Sequence, residues 1–282
     1  KRAQAVSGTV FGRSNCGATK ARAECTAVNY LAPRFLFRRH ELVRRVEGGQ
    51  SFMEIGAGNL TLTRELLEHF DSGLAVDFTE DLDASFAKLP EEMRRRLEVK
   101  NANFMTDSVP GAFDCVVACE VMEHVEDDVG FLHKIHECLK PGGQAIISVP
   151  AKARYWSVHD ELVGHLRRYE KAELLEKTEQ AGFSNVQVIS YGYPWINLLS
   201  KLRVWLASKT LKEREGWDQE RQTSMSNHLQ IPAWLQNSFV PLLLNRFTVY
   251  PLAFVARLFN SADHSDGYIL TMRRRTADDK PD

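Results

Sequence analysis

Three groups of residues in this 282-residue chain have side chains and spacings suited to chemistry. The densest runs from Pro150 to Tyr169 and holds Tyr155, Trp156, His159, Asp160, His165, Arg167 and Arg168. A neutral imidazole near pH 7 can take a proton from a hydroxyl or an amine. His159 is therefore the preferred general base, with Asp160 to orient it or a neighbour. His165, Arg167, Arg168 and Tyr169 read more simply as a hydrogen-bond network that fixes the stretch. A second group is Cys119-Glu120-Val121-Met122-Glu123-His124. His124 is a further catalytic candidate there, beside a plainer reading in which it caps a helix or bonds backbone. The third group is Glu54-Ile55-Gly56-Ala57-Gly58, followed at a distance by Asp77. Two glycines one residue apart let the backbone bend sharply and a ligand come close. An acid about 20 residues beyond such a turn is placed to accept ribose hydroxyls. Glu54 lies in an apolar run, where a carboxylate is costly unless a cation or hydrogen-bond donor uses it.

These groups need positioning elements, and the hydrophobic pattern supplies them. Phe52–Ile55 reads as a strand, and the helix after the glycine turn runs through Leu62, Leu66 and Leu67, its free N–H groups turned to the same crevice. Leu74–Val76 is the next strand and ends at Asp77. Phe78–Leu89 reads as a helix, Pro90–Leu97 continues it or starts another, and Val99–Phe104 is a third strand. Phe113–Ala118 is nearly all apolar, as for a parallel strand buried on both faces. In open parallel sheets the ligand lies beyond the carboxyl ends of the strands, which puts Glu120, Val121, Glu123 and His124 on that side. Asp127–Leu139 reads as a helix stopped by Pro141-Gly142-Gly143, with Gln144–Val149 the following strand. His133 and His136 share a face of that helix, but zinc needs more ligands at suitable spacing and none is read, so no metal is expected. Lys171–Gln180 is a helix, Val186–Ser190 the sixth strand, and Gly267–Met272 a last one. Ala27–Val46 is amphipathic, with Arg34, Arg38, Arg39, Arg44 and Arg45 among its apolar positions and Pro33 implying two helices or a late start. A surface helix packed on the core is the favoured account; a lid touching an anionic group through its arginines is the other.

The glycine unit, Asp77, the run Phe113–Val125 and Leu139-Lys140-Pro141-Gly142-Gly143 together resemble the class I S-adenosylmethionine-dependent methyltransferases, most of all their bacterial small-molecule branch. The resemblance covers about Phe52 to Ser190 and the last strand. It implies a doubly wound, mostly parallel seven-stranded α/β sheet, Rossmann-like, with an antiparallel last strand. It also implies S-adenosyl-L-methionine as cofactor and S-adenosyl-L-homocysteine as product. The cofactor-binding residues would be Glu54, Gly56, Ala57, Gly58, Asp77, Phe78, Asn103, Phe104, Glu120 and Val121. Asn103 stands where the family places a polar residue, usually aspartate, near the adenine amino group. Phe78 or Phe104 would stack on the ring, although either reads equally well as core. The family carries a Trp…His-Asp…Gly-His…Arg-Arg-Tyr run like that at Trp156–Tyr169.

Composition narrows the partners. Residues 1–50 carry ten Lys/Arg against three Asp/Glu, and residues 51–150 carry eight against nineteen, with −1 overall. No global field recruits nucleic acid, and none is expected as a partner. The five cysteines show no metal-ligand spacing, and Cys115 and Cys119 fall in an apolar run as buried thiols, so a cytoplasmic setting is the default. No signal peptide and no membrane-length apolar run is read. The domain reading is an arm and helix at 1–46, a core at 47–190, a helical cap insertion at 191–264, the last strand at 265–277 and a tail at 278–282. The insertion is apolar and aromatic, with Lys209–Asn227 a polar loop. It encloses a hydrophobic acceptor, forms a homo-oligomer contact (as the N-terminal helix also could), or makes a peripheral membrane contact; the first is preferred. The function expected is methyl transfer to a hydrophobic small-molecule or lipid-like acceptor at O, N or C. Alternatives are a protein or RNA methyltransferase docking through the insertion, and a non-catalytic relative that serves as an oligomerisation partner. A nicotinamide dehydrogenase is disfavoured, because Thr61 takes the place of the third fingerprint glycine.

Overall fold

Seven strands form one sheet in the order β3-β2-β1-β4-β5-β7-β6 in the computed structural model, which describes residues 33–79, 81–211 and 246–276. The strands are β1 (Gly49–Ile55), β2 (Phe70–Asp77), β3 (Leu97–Asn101), β4 (Phe113–Cys119), β5 (Leu139–Pro150), β6 (Phe183–Ser190) and β7 (Gly267–Arg274). β1 to β5 pair in parallel, and β7 inserts antiparallel between β5 and β6. The α/β class, the strand number and the reversed last strand are those expected. The winding changes direction between β1 and β4, and ligands bind at that switch point in open sheets.

The continuous apolar run of β4 follows from burial on both faces. Val116 and Ala118 enter one core with Met53, Ile55, Phe131 and Ile147, while Cys115 and Val117 enter the other with Phe52, Ala75, Leu66 and Ile146. Alternate residues of a strand point to opposite faces, so both sets must be apolar. The described helices are α1 (Pro33–Val43), α2 (Thr61–Leu66), α3 (Asp81–Ala87), α4 (Glu91–Arg96), α5 (Asp128–Cys138), α6 (Val158–Val163), α7 (Lys171–Gln180), α8 (Trp195–Leu211) and α9 (Arg246–Ala256). Pro33 opens α1, where its missing N–H costs nothing. Leu36, Phe37 and Leu42 of α1 are buried together with Val249, Ala253 and Ala256 of α9. Each such large side chain contributes about 1.5–3 kcal/mol, so α1 is held on the core as the favoured account expected.

Some boundaries differ. β5 begins at Leu139 and runs through Pro141-Gly142-Gly143 instead of starting after it. A register irregularity between Phe113 and Cys115 absorbs this stretch, and a Cβ at Gly143 would meet the Lys140 carbonyl oxygen at 2.8 Å. β3 spans Leu97–Asn101, leaving Phe104 beyond its end. The stretch after β5 folds its middle into α6, whose Ser157 and Asp160 form a capping box. The polar segment Lys209–Asn227 begins inside α8 and from residue 212 lies outside the described residues, as does the arm before Pro33.

Candidate functional site

The turn after β1 is shaped by positive φ at Gly56 (73°), Gly58 (51°) and Leu60 (59°). A Cβ at Gly56 would stand 2.5 Å from Val121 Cγ2, so the turn and the β4 end touch in a way only glycine permits. Across the turn, Asp77 Oδ2 accepts the Gly58 N–H at 2.7 Å and Oδ1 accepts the Thr79 N–H at 3.0 Å. Gly56, Gly58, Asp77 and Val121 thus meet at the switch point. Phe78 follows Asp77 in the chain and is 44% exposed. Phe104 is placed otherwise: it is buried in the core with Phe131 edge-on at 5.5 Å. Asn103 Oδ1 accepts the Met105 N–H at 2.9 Å and shapes a turn. Glu54 is buried and accepts from the Thr63 hydroxyl; burial, with the nearby Asp77 charge adding, pushes its pKa up to about 8. A cation brought against it would draw it to its charged form.

Glu120 follows β4 with φ of 57°, strained for a residue with a side chain. Arg34 Nη2 reaches its Oε2 at 3.3 Å, Arg38 Nη1 its Oε1 at 3.5 Å, and the Ser148 hydroxyl donates to Oε1 at 3.2 Å. Arg34 also donates to Asp266 Oδ1 at 2.6 Å and lies 5.7 Å from the Tyr191 ring centroid. The sequence reading missed this bridge. Arg34 and Arg38 stand four apart, one turn of helix, but Asp266 lies 232 residues from Arg34.

The sequence reading left Asp160 to orient His159 or a neighbour, and His124 to act in catalysis or to bond backbone. Asp160 is fully buried and its oxygens serve Ser157, His165 and Arg168: His165 Nδ1 at 2.8 Å, Arg168 Nε at 2.8 Å and Arg168 Nη2 at 3.0 Å. Burial alone would raise Asp160, but the hydrogen bonds from His165 and Arg168 outweigh it and hold its carboxyl well below the usual range. His159 is half-buried on α6, and successive residues of a helix diverge by about 100°. The residue oriented by Asp160 is the neighbour His165. His124 stands 4.9 Å from His165, ring to ring, and its Nδ1 donates to the Gly164 carbonyl at 3.1 Å. Burial, with the neighbouring His165 adding, pushes its pKa down to about 4, so the ring is neutral at pH 7. Arg167 and Tyr169 engage Asp128 instead, Arg167 Nη1 at 2.9 Å and the Tyr169 hydroxyl at 3.1 Å, fixing the stretch to α5.

Residues 25–188 match the model of a methyltransferase domain family. The chain belongs to the methyltransferase-domain family. The class I resemblance read from the glycine unit agrees with this match and with the sheet order. A probable S-adenosylmethionine-dependent methyltransferase of Mycolicibacterium smegmatis is 29% identical over 161 residues, 53% of this chain and 59% of that protein. A ubiquinone biosynthesis O-methyltransferase of Pseudomonas paraeruginosa is 31% identical over 100 residues, 36% of this chain and 35% of that enzyme. The matches thus span between about a third and three fifths of those relatives' lengths. Among solved structures, a phosphoethanolamine N-methyltransferase 2 of Haemonchus contortus in complex with S-adenosyl-L-methionine shares the fold, with a TM-score of 0.57 at 14% identity, covering 88% of this chain and 55% of that one. A putative sarcosine dimethylglycine methyltransferase of Galdieria sulphuraria does so with a TM-score of 0.53 at 12% identity, covering 86% and 84%.

Proposed function

We propose that the protein transfers a methyl group from S-adenosyl-L-methionine to a hydrophobic small-molecule acceptor. The observation that carries this reading is the contact of Asp77 with the Gly58 N–H across the Gly56–Gly58 bend at the switch point. The residues present fit that cofactor. In this reading Asp77 would take the ribose hydroxyls, Phe78 the adenine, and Glu54 the cationic portion whose charge it would meet. The bound cofactor supplies an electrophilic methyl on a sulfonium. The chain then has to align the acceptor, keep water out and take up a proton where the acceptor loses one. Neutral His124, in the turn beyond β4, is nearer this role than His159, because its own N–H is committed to the Gly164 carbonyl.

The acceptor class rests on the segment between β6 and β7. Its described helices α8 and α9 carry exposed Leu198, Trp205, Phe247 and Phe254. No helix among the described residues is long and apolar enough to cross a membrane. Relatives named as ubiquinone biosynthesis O-methyltransferases match at about this level of identity, which favours a hydrophobic small molecule over a protein or RNA. The test is calorimetric titration with S-adenosyl-L-methionine, followed by tritiated-methyl transfer to hydroxylated and amino aromatic acceptors extracted into organic solvent. Binding lost in Gly56→Arg and label in the organic phase are expected. A chain that binds no cofactor, or binds it equally well as Gly56→Arg, ends the proposal.

A further inference from the structure

Glu123 is a fully buried carboxyl group whose two oxygens both lack a hydrogen-bond partner among the described residues. His165 Nε2 is 3.6 Å from Oε1, beyond hydrogen-bond reach. Leaving a buried carboxylate unsatisfied costs more than a neutral polar group, on the order of several kcal/mol. The backbone of Glu123 is committed, since its carbonyl accepts the Leu166 N–H at 2.9 Å and ties it to the stretch carrying His165. The side chain is thus held in place without a hydrogen bond to any other described residue.

Two imidazoles flank it, and each has its outer nitrogen occupied. His165 Nδ1 faces Asp160 Oδ1 at 2.8 Å, and His124 Nδ1 faces the Gly164 carbonyl at 3.1 Å. A carbonyl or carboxylate acceptor on Nδ1 fixes the proton there and leaves the lone pair on Nε2. This arrangement, with an outer oxygen orienting each ring, is how metal-ligating histidines are held. One potential ligand atom from each of Glu123, His124 and His165 lies within 4.8 Å of the others. Donors on a tetrahedral zinc stand about 3.3 Å apart for bonds near 2.0–2.1 Å. Rotamer adjustments of about an ångström would close the set.

We propose that Glu123, His124 and His165 form a binding site for one divalent transition-metal ion. Two imidazoles and one carboxylate select zinc, iron(II), cobalt(II) or manganese(II) over magnesium or calcium, which prefer all-oxygen sets. Three protein ligands leave positions open, as in catalytic rather than structural sites. Glu123 is fully buried while His124 and His165 are each partly buried, so the open side lies toward the imidazoles. The sequence hides this site because Glu123 and His124 adjoin, while His165 comes 41 positions after His124, outside any usual ligand spacing.

The proposal shares His124 with the proton-accepting role given to it above, and a metal ion on its Nε2 would exclude that role; the test reads metal directly. Chelator-stripped full chain is titrated with Zn2+ by calorimetry and with Co2+ by visible absorption, and the Zn2+-loaded chain is examined by X-ray absorption. Expected are one ion per chain, Co2+ bands of four- or five-coordinate intensity, and scattering from two imidazole rings. Glu123→Gln and His165→Ala should each weaken Zn2+ binding at least about tenfold while S-adenosyl-L-methionine binding persists as the control for folding. Absence of stoichiometric Zn2+ or Co2+ binding overturns the site. So does binding that both folded variants retain, or scattering without two imidazoles. Should either variant fail to fold, the absorption data on the unaltered chain decide. Metal binding without cofactor binding would uphold this site and end the methyl-transfer reading; the reverse would do the opposite.

Discussion

At the scale of single residues, the site is a set of buried charges whose states are decided by their neighbours. Glu54 has a pKa raised by burial to about 8, so at pH 7 it is mostly protonated in the free protein. Its unfolded counterpart ionises near 4.3. As pH rises from about 4.3 toward 8, the unfolded state loses this proton first and stability falls. A cation seated against Glu54 reverses the preference. Cofactor binding at pH 7 is therefore expected to release close to one proton, read as a binding enthalpy that depends on buffer ionisation heat; in Glu54→Gln the dependence should vanish. Asp160 behaves oppositely. Its folded pKa is depressed, so its stabilisation is complete above about pH 5 and drains as pH falls below the unfolded value near 3.9. Asp160→Asn should cost about 3–5 kcal/mol in urea unfolding at pH 7, because Arg168 is left buried and unpaired. The difference from the unaltered chain should shrink as the pH is taken down toward 3.

At the scale of elements, the glycine turn and the end of β4 work as one unit, since each is shaped to the other. Gly56→Ala meets two obstacles, the Val121 methyl at 2.5 Å and a φ of 73°. Positive φ on a residue with a Cβ costs about 1–3 kcal/mol, and a shift of the turn reaches Gly58 and Asp77. Cofactor affinity should fall about tenfold or more, as 1.4 kcal/mol is a factor of ten. Adding Val121→Ala should restore part of the loss, the part due to collision; a full recovery would show that backbone strain contributes nothing. Elsewhere the stretch after β5 shows how an element changes the meaning of adjacent residues. His159 and Asp160 look like a pair in sequence, yet a helix separates their directions, and the partner of Asp160 lies five residues on, past the turn at Gly164.

At the scale of the whole molecule, α1 is joined to the site by charge as well as by its apolar face. Arg34 and Arg38 converge on Glu120, and Arg34 reaches Asp266 at the start of β7. Arg34→Met should remove the cation that the almost fully buried Asp266 faces at 2.6 Å; removing one partner of a buried pair costs about 3–5 kcal/mol. Thermal unfolding would register this, and Arg34→Lys should recover only part, since an ammonium cannot hold Glu120 and Asp266 in one planar fork. What the sequence by itself determined is what lies close along the chain or repeats with a fixed period. The strands, the bend at Gly56 and Gly58, and Asp77 nineteen residues after Gly58 were legible because strand–turn–helix–strand is a local unit, and apolar periodicity marks its elements. The tertiary structure alone decided that His165 answers to Asp160, that Glu123 sits buried without a partner between two histidines, that Phe104 is core, and that Arg34 closes on Asp266. These depend on which side chains the packing brings together from distant positions, and no period in the chain encodes a distance across the sheet.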